Sequence, residues 1–208
     1  MEILRNGASV ALIYFVDWSF LAVQSLLVGL MGVRQLASQV ILSSFYSQLL
    51  MAPLGFSIAV SAVTGAAFGQ ANKQKAFEIM RKTTIITVAM TLVLSTIMLT
   101  LRWEIARAFS SDAEVVREAA NAFMLAGASL FMEGMNSQMR GVIKGMGQQS
   151  YAILITIASY WLVASPLSAL GVLEFGKGIS YIWQMSALGS GICLVSNALM
   201  VFFTNWNG

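Results

Sequence analysis

Six long apolar stretches, separated by short polar connectors, take up nearly the whole chain. A membrane-spanning helix needs about 20 mostly apolar residues. The stretches that meet this run approximately over 9–31, 36–68, 83–101, 119–142, 151–173 and 179–203. The pattern predicts an all-α polytopic membrane protein, a six-transmembrane-helix bundle in one unit over residues 1–208. The second stretch is long enough to tilt or bend, and Pro53 with Gly55 marks the bend. Pro166 predicts a kink in the fifth, tolerable in a packed bundle. Ser111-Asp112-Ala113-Glu114 has the S-x-x-E form of a capping box and predicts a helix start after the third span.

Composition agrees with this reading. Of 208 residues, 58% are hydrophobic and only 10% charged, where a soluble domain carries about 25% charge. The mean hydropathy is +0.76. One cysteine, Cys193, and no histidine exclude an internal disulfide and the usual zinc or haem motifs. The same shortage argues against an enzyme, since the lone thiol has no histidine to activate it. The net charge of +3 does not signal nucleic acid, because the basic residues are spread over the connectors. The first apolar run lacks a cleavage-like end and is followed by further spans, so it does not read as a signal peptide.

With six crossings both termini lie on one side. That side collects Arg5, Lys73, Lys75, Arg81, Lys82, Arg140 and Lys144; the other collects Arg34, Arg102, Arg107, Arg117 and Lys177. Seven basic residues against five place both termini in the cytoplasm. The basic connector at 70–82 meets anionic lipid headgroups in this topology.

Two carboxylates break the apolar pattern. Asp17 sits in the first span and Glu133 in the fourth. A charge at the bilayer centre costs roughly 2.5–3.5 kcal/mol on insertion scales, so each is a candidate functional residue. Helical spacing puts Glu133, Asn136, Ser137, Arg140 and Lys144 on one face of the fourth span. Asp17 shares a face with Tyr14 and Gln24, and the second span offers Ser43, Ser44, Ser47 and Gln48. Three polar stripes suggest a common water-accessible cavity, although Ser and Gln also serve as hydrogen-bonding glue between helices. Gly65/Gly69 and Gly141/Gly145 match G-x-x-x-G, a close-packing pattern. Trp18, Tyr160 and Trp161 fall within spans, where they either pack or face an organic cation. Trp103, Trp183 and Trp206 read as interface residues.

The run 133–149, EGMNSQMRGVIKGMGQQ, resembles an acid followed by G-V-L-R-G-x-G-x-Q, the pattern of the MATE (multidrug and toxic compound extrusion) transporter family in its eukaryotic branch, with Lys144 for the usual Arg and Arg140 where a small residue is common. Residues 159–167, SYWLVASPL, resemble Y-Y-x-x-G-x-P-L. Residues 51–59, MAPLGFSIA, resemble M-I-P-x-G-x-S-x-A, and Gly65–Gly69 resembles the G-N-x-L-G that follows. Val63 and Thr64 stand where an Arg is usual. Phe109–Val115, Thr204-Asn205-Trp206 and Phe15-Val16-Asp17-Trp18, similar to C-V-E-W, complete the set in order.

The resemblance implies one lobe of a twelve-helix transporter, the C-terminal six spans. It implies that Asp17 and Glu133 are the cation- or proton-coupling acids, sites for H⁺ or for Na⁺, with no cofactor. A third acid found in some members is replaced by Ser44. The expected activity is antiport, exporting organic cations or xenobiotics by alternating access. Gln24, Ser44, Ser47, Asn136 and Tyr160 are the candidate substrate-pocket residues. The expected partners are membrane lipid, a small organic cation, and an N-terminal lobe or a second copy of this chain. Two alternatives remain open: a half-transporter that dimerises, and a non-transporting membrane fragment or scaffold.

Overall fold

A computed structural model of the protein describes residues 2–204. The chain runs through α1 (Glu2–Gly29), α2 (Val33–Gly69), α3 (Lys73–Thr100), α4 (Arg102–Phe109), α5 (Ala113–Gly145) and α6 (Gln149–Thr156). A π-helical segment (Ile157–Ala164) then leads into α7 (Ser165–Leu173), and α8 (Ile179–Phe202) closes the bundle. There is no strand among the described residues. Among the described residues, six segments are long and apolar enough to cross a membrane: Ala11–Gly29, Val33–Gly69, Lys73–Thr100, Ala113–Gly145, Gln149–Leu173 and Ile179–Phe202. Helices are the expected solution, because backbone polar groups in lipid must be satisfied within the segment.

The central helix is α5. Its most apolar stretch has a mean hydropathy of 1.2, against 1.7–1.9 in the other five spans, yet 56% of it is buried against 22–33% elsewhere. Helix α5 is therefore solvated by protein and can carry the polar stripe that lipid would reject. Its closest neighbour is α2, and glycine makes that contact possible. A Cβ on Gly141 would lie 2.6 Å from the Ser57 carbonyl oxygen, and one on Gly145 would lie 2.8 Å from that of Ser61. Gly65 meets the Gly145 backbone from the other side, whereas Gly69 faces open space. Where the backbones touch, Ser57 Oγ donates to the Ser137 carbonyl at 2.5 Å. Other polar ties cross the bundle: Ser95 to the Gly127 carbonyl, Gln138 to Thr83 and Gln24 to Ser168.

Two apolar clusters bracket the polar stripe of α5. One gathers Leu27, Leu42, Met98, Phe123, Leu130 and Ile182; the other gathers Ile13, Val60, Val142, Ile143 and Val201. Between them along α5 lie Glu133, Asn136 and Arg140.

Several details depart from the sequence reading. The S-x-x-E box does not form: Asp112 caps α5, its Oδ1 accepting from the backbone N–H of Glu114 at 2.9 Å and of Val115 at 3.4 Å. These donors hold the exposed Asp112 carboxyl below its ordinary range. Its contribution is thus complete above the ordinary carboxylate pKa and is lost as pH falls through the folded value. Trp183 is not at an interface. It is 2% exposed, and its indole N–H donates to Gln39 Oε1 at 3.0 Å. Trp206 lies outside the described residues. Helix α4, unpredicted, buries Ile105 and Ala106 and turns Glu104 and Arg107 outward. Helix α2 keeps Pro53 within an unbroken 37-residue helix. In the fifth span the irregularity precedes Pro166: Ser165 N–H donates to the Tyr160 carbonyl, five residues back.

Replacing Gly141 with Val drives a side chain into the α2 backbone and should cost about 1–3 kcal/mol, the usual range for overpacking. Gly69→Ala should be neutral. Thermal unfolding in detergent, compared between the two variants, tests this; equal loss in both would show that the glycine contact does not hold α2 to α5.

Candidate functional site

Asp17 on α1 and Glu133 on α5 lie each within about one helical turn of the middle of their spans. The fold brings both acids to one guanidinium. Arg140 Nη1 donates to Asp17 Oδ1 at 3.0 Å and Oδ2 at 2.9 Å, while Nη2 donates to Glu133 Oε1. Glu133 and Arg140 share a face because they are seven residues apart, two helical turns. The other oxygen of Glu133 accepts from the Tyr160 hydroxyl and from Asn136 Nδ2 at 3.3 Å.

The network continues into α8. Tyr160 Oη lies 3.0 Å from Ser190 Oγ, and Asn136 Nδ2 also donates to the Ser190 carbonyl at 3.0 Å. Asn197 Nδ2 donates to Asn136 Oδ1 at 3.3 Å and to Cys193 Sγ at 3.4 Å. One turn beyond Arg140, Lys144 sits 5.3 Å from the ring centre of Tyr14 and 3.5 Å from its hydroxyl. The Tyr14 cation–π contact is thus taken by a cation of the chain itself.

A cavity of ≈ 50 Å³ opens beside the acids, lined by both carboxylates, by Tyr14, Trp18 and Phe20 of α1, Tyr46 and Leu50 of α2, Tyr160, and Trp183 and Ser190 of α8. Arg140 is only 3% exposed and stands behind the acids, outside this lining. The volume holds one or a few water-sized species. Drug-sized ligands occupy roughly 300–1,000 Å³.

Of the pocket residues expected from sequence, Tyr160 lines the cavity, and Asn136 stands behind Glu133 and bonds it. Gln24 is buried one layer away, bonded to Ser168. Ser44 and Ser47 do not reach the cavity. Helix α2 turns Leu42, Tyr46, Leu50 and Pro53 inward, which leaves Ser43, Ser44, Ser47 and Gln48 on the outer side. Ser43 and Ser47 bond back to the carbonyls of Val40 and Ser44. Of the three aromatics, Trp18 and Tyr160 line the cavity, and Trp161 instead donates to the Val16 carbonyl.

Arg140 is the residue the sequence reading misplaced. Its position near the end of the fourth span counted it as a loop cation, but its charge is spent inside the bundle. Setting it aside leaves six basic residues against five, so the loop charges no longer favour either orientation. The stripe 133–136–140 was the signal that could have placed it, read as an ion pair along one helix face. Among the described residues there is no group of three His, Cys, Asp or Glu that could hold a metal ion.

If the three charges act as one unit, Asp17→Asn or Glu133→Gln alone leaves Arg140 an anion and lowers thermal stability only modestly. The double variant strands a buried guanidinium and should cost about 3–5 kcal/mol, more than the sum of the singles. Adding Arg140→Met should recover most of that loss. Simple additivity in detergent melts would show that the charges do not depend on one another.

Comparison with known proteins shows the family of the chain. The MatE family model matches residues 10–170, a span that contains Asp17, Glu133, Arg140 and Tyr160. Multidrug and toxin extrusion protein 1 of Homo sapiens is 24% identical over 98% of this chain and 36% of its own length. Protein DETOXIFICATION 17 of Arabidopsis thaliana is 30% identical over 73% of this chain and 31% of its own. The solved eukaryotic MATE transporter AtDTX14 superposes with a TM-score of 0.89 at 24% identity, covering 99% of this chain and 46% of that one. The chain spans about a third of the length of these curated relatives and under half of the solved transporter. It is an integral, multi-pass membrane protein, and it belongs to the MatE family of transporters.

Proposed function

We propose that this chain is the C-terminal-type lobe of a cation-coupled antiporter that exports organic cations or xenobiotics by alternating access. The observation that carries the reading is the acid pair, Asp17 and Glu133, lining an aromatic-walled cavity close to mid-membrane. Such acids are costly in lipid and are retained where they bind ions or protons. A carboxylate here exchanges between a protonated form and one paired with a cation, so proton and substrate compete for the same charge. Aromatic rings beside a carboxylate suit a quaternary or protonated amine.

The cavity is too small for such a substrate in this conformation. Two features support a larger site formed with an opposing surface. The chain covers less than half of the solved transporters, and α2 presents Ser43, Ser44, Ser47 and Gln48 on its outer side. A polar stripe on the outside of a membrane helix is suited to an aqueous cleft or to a partner, not to lipid. In this reading Asp17 and Glu133 are the coupling acids. Tyr160 is a wall residue, Asn136 positions Glu133, and Ser44 and Ser47 face the second lobe, supplied by an N-terminal half or another copy. Gln24 holds α1 against α7.

Uptake of a fluorescent organic cation into everted vesicles containing the protein, driven by an imposed ion gradient, tests the proposal. Transport should fall to background in Asp17→Asn and in Glu133→Gln, with expression and melting temperature close to wild type. Transport that survives both substitutions would remove the acids from the coupling role.

A further inference from the structure

We infer that the groove between the first turns of α3 and the last turns of α8 is a seat for one anionic phospholipid, with its phosphate at Lys73 and its acyl chains along Phe77, Met139 and Phe202. No group of the acid cluster takes part, and the seat stands whether or not the chain transports.

Helix length sets the depth of the groove. Helix α3 has 28 residues, about 42 Å at 1.5 Å per residue, against a hydrocarbon core of about 30 Å. Residues 83–100 carry no charge, whereas 73–82 hold four basic residues and one acid, Glu78. The surplus length therefore lies at the start of α3 and stands among the lipid headgroups.

Along the same axis the groove changes character. Gln70, Lys73 and Gln74 line its connector end. Further in, the lining is Phe77 of α3, Met139 of α5, and Ala198 and Phe202 of α8. Its volume of ≈ 1120 Å³ exceeds the roughly 300–1,000 Å³ of a small-molecule pocket. A polar end at headgroup level and apolar walls below it match a phospholipid in the orientation it already has in the bilayer.

Charge selects an anionic one. Lys73 is half-buried in the groove. Among the described residues, Lys73, Lys75 and Arg81 form no ion pair, and Lys82 alone is matched, by Glu78 at 3.7 Å. Basic pockets between membrane helices at the headgroup level hold anionic lipid in this way. A zwitterionic lipid brings its own cation to the same rim and gains less. The helix also divides its charges: Lys75 and Lys82 line a separate, smaller groove against α2, with Val63 and Ile79. Both α3 and α8 pack on α5, so an occupant of the larger groove bridges them and stabilises the folded bundle.

The test is thermal unfolding of the purified protein in detergent. Phosphatidylglycerol, phosphatidylcholine with the same acyl chains, or inorganic phosphate is titrated in. Phosphatidylglycerol should raise the melting temperature by a few degrees and saturate; the other two should not. Lys73→Gln should lose most of that rise, and Lys75→Gln, two residues away but outside the groove, should keep it. Ala198→Phe fills the apolar seat, leaves every charge in place and should also lose the rise. Each variant is read as the difference from its own lipid-free melt. An equal rise with phosphatidylcholine would reduce the groove to ordinary lipid contact, and a rise with inorganic phosphate alone would make it an anion site; either overturns the proposal. So does equal loss in the two lysine variants, or a full rise in Ala198→Phe.

Discussion

A guanidinium clamped between two carboxylates inside the bilayer is the constraint on which the rest of this bundle depends. Any one of the three charges would be expelled from lipid on its own. Together they are tolerable only if α1 and α5 meet at matching depth and if the remaining lone pairs find donors. Tyr160 and Asn136 supply those donors, and Ser190 anchors both, so the fifth and sixth spans are drawn into the same register. The helix with the highest polar content must then be the one that lipid does not see. This is why α5 lies at the centre, and why glycines at 141 and 145 are needed to bring α2 against it.

Much of this was legible in the sequence, for identifiable reasons. Hydropathy depends on a contrast between lipid and water that few tertiary effects can overturn, so six spans could be read directly. Asp17 and Glu133 stood out because a charge inside an apolar run has a large energetic signature. Arg140 did not, because five residues from a helix end is close enough to snorkel, and only the fold reveals that its side chain runs inward. The serine stripe of α2 misses the inner cavity for a different reason. Periodicity states that residues share a face, but Leu42, Tyr46 and Leu50 claim the inner face through their volume, and the serines are left with the outer one. Trp183 has the amphipathic character of an interface residue; a buried glutamine amide, Gln39, satisfied its N–H instead.

In the proposed function, the outer polar stripe and the inner acid cluster have separate roles. The inner cluster is tied together within the chain, both carboxylates being bonded to one guanidinium. The outer stripe turns hydroxyls and an amide away from it. On that proposal coupling belongs to the inner cluster and substrate recognition to whatever covers α2. The two roles are attached to opposite sides of the same helix, with Tyr46 and Leu50 facing the acids and Ser44 and Ser47 facing away.

Among the buried positions of the fifth span, Ala152, Thr156, Tyr160, Ala164 and Ser168 follow one another at an interval of four. In an α-helix of 3.6 residues per turn, such an interval drifts by about 40° at each step, so Ala152 and Ser168 would point in nearly opposite directions. The π-helical stretch between them, with its wider turn, absorbs the drift. It works as a vernier between two rulers, matching a four-residue sequence period to a bundle that stays on one side. The π-helical winding thus helps to aim Tyr160 at Glu133. The same span can ignore Pro166, whose missing N–H falls just where the winding changes.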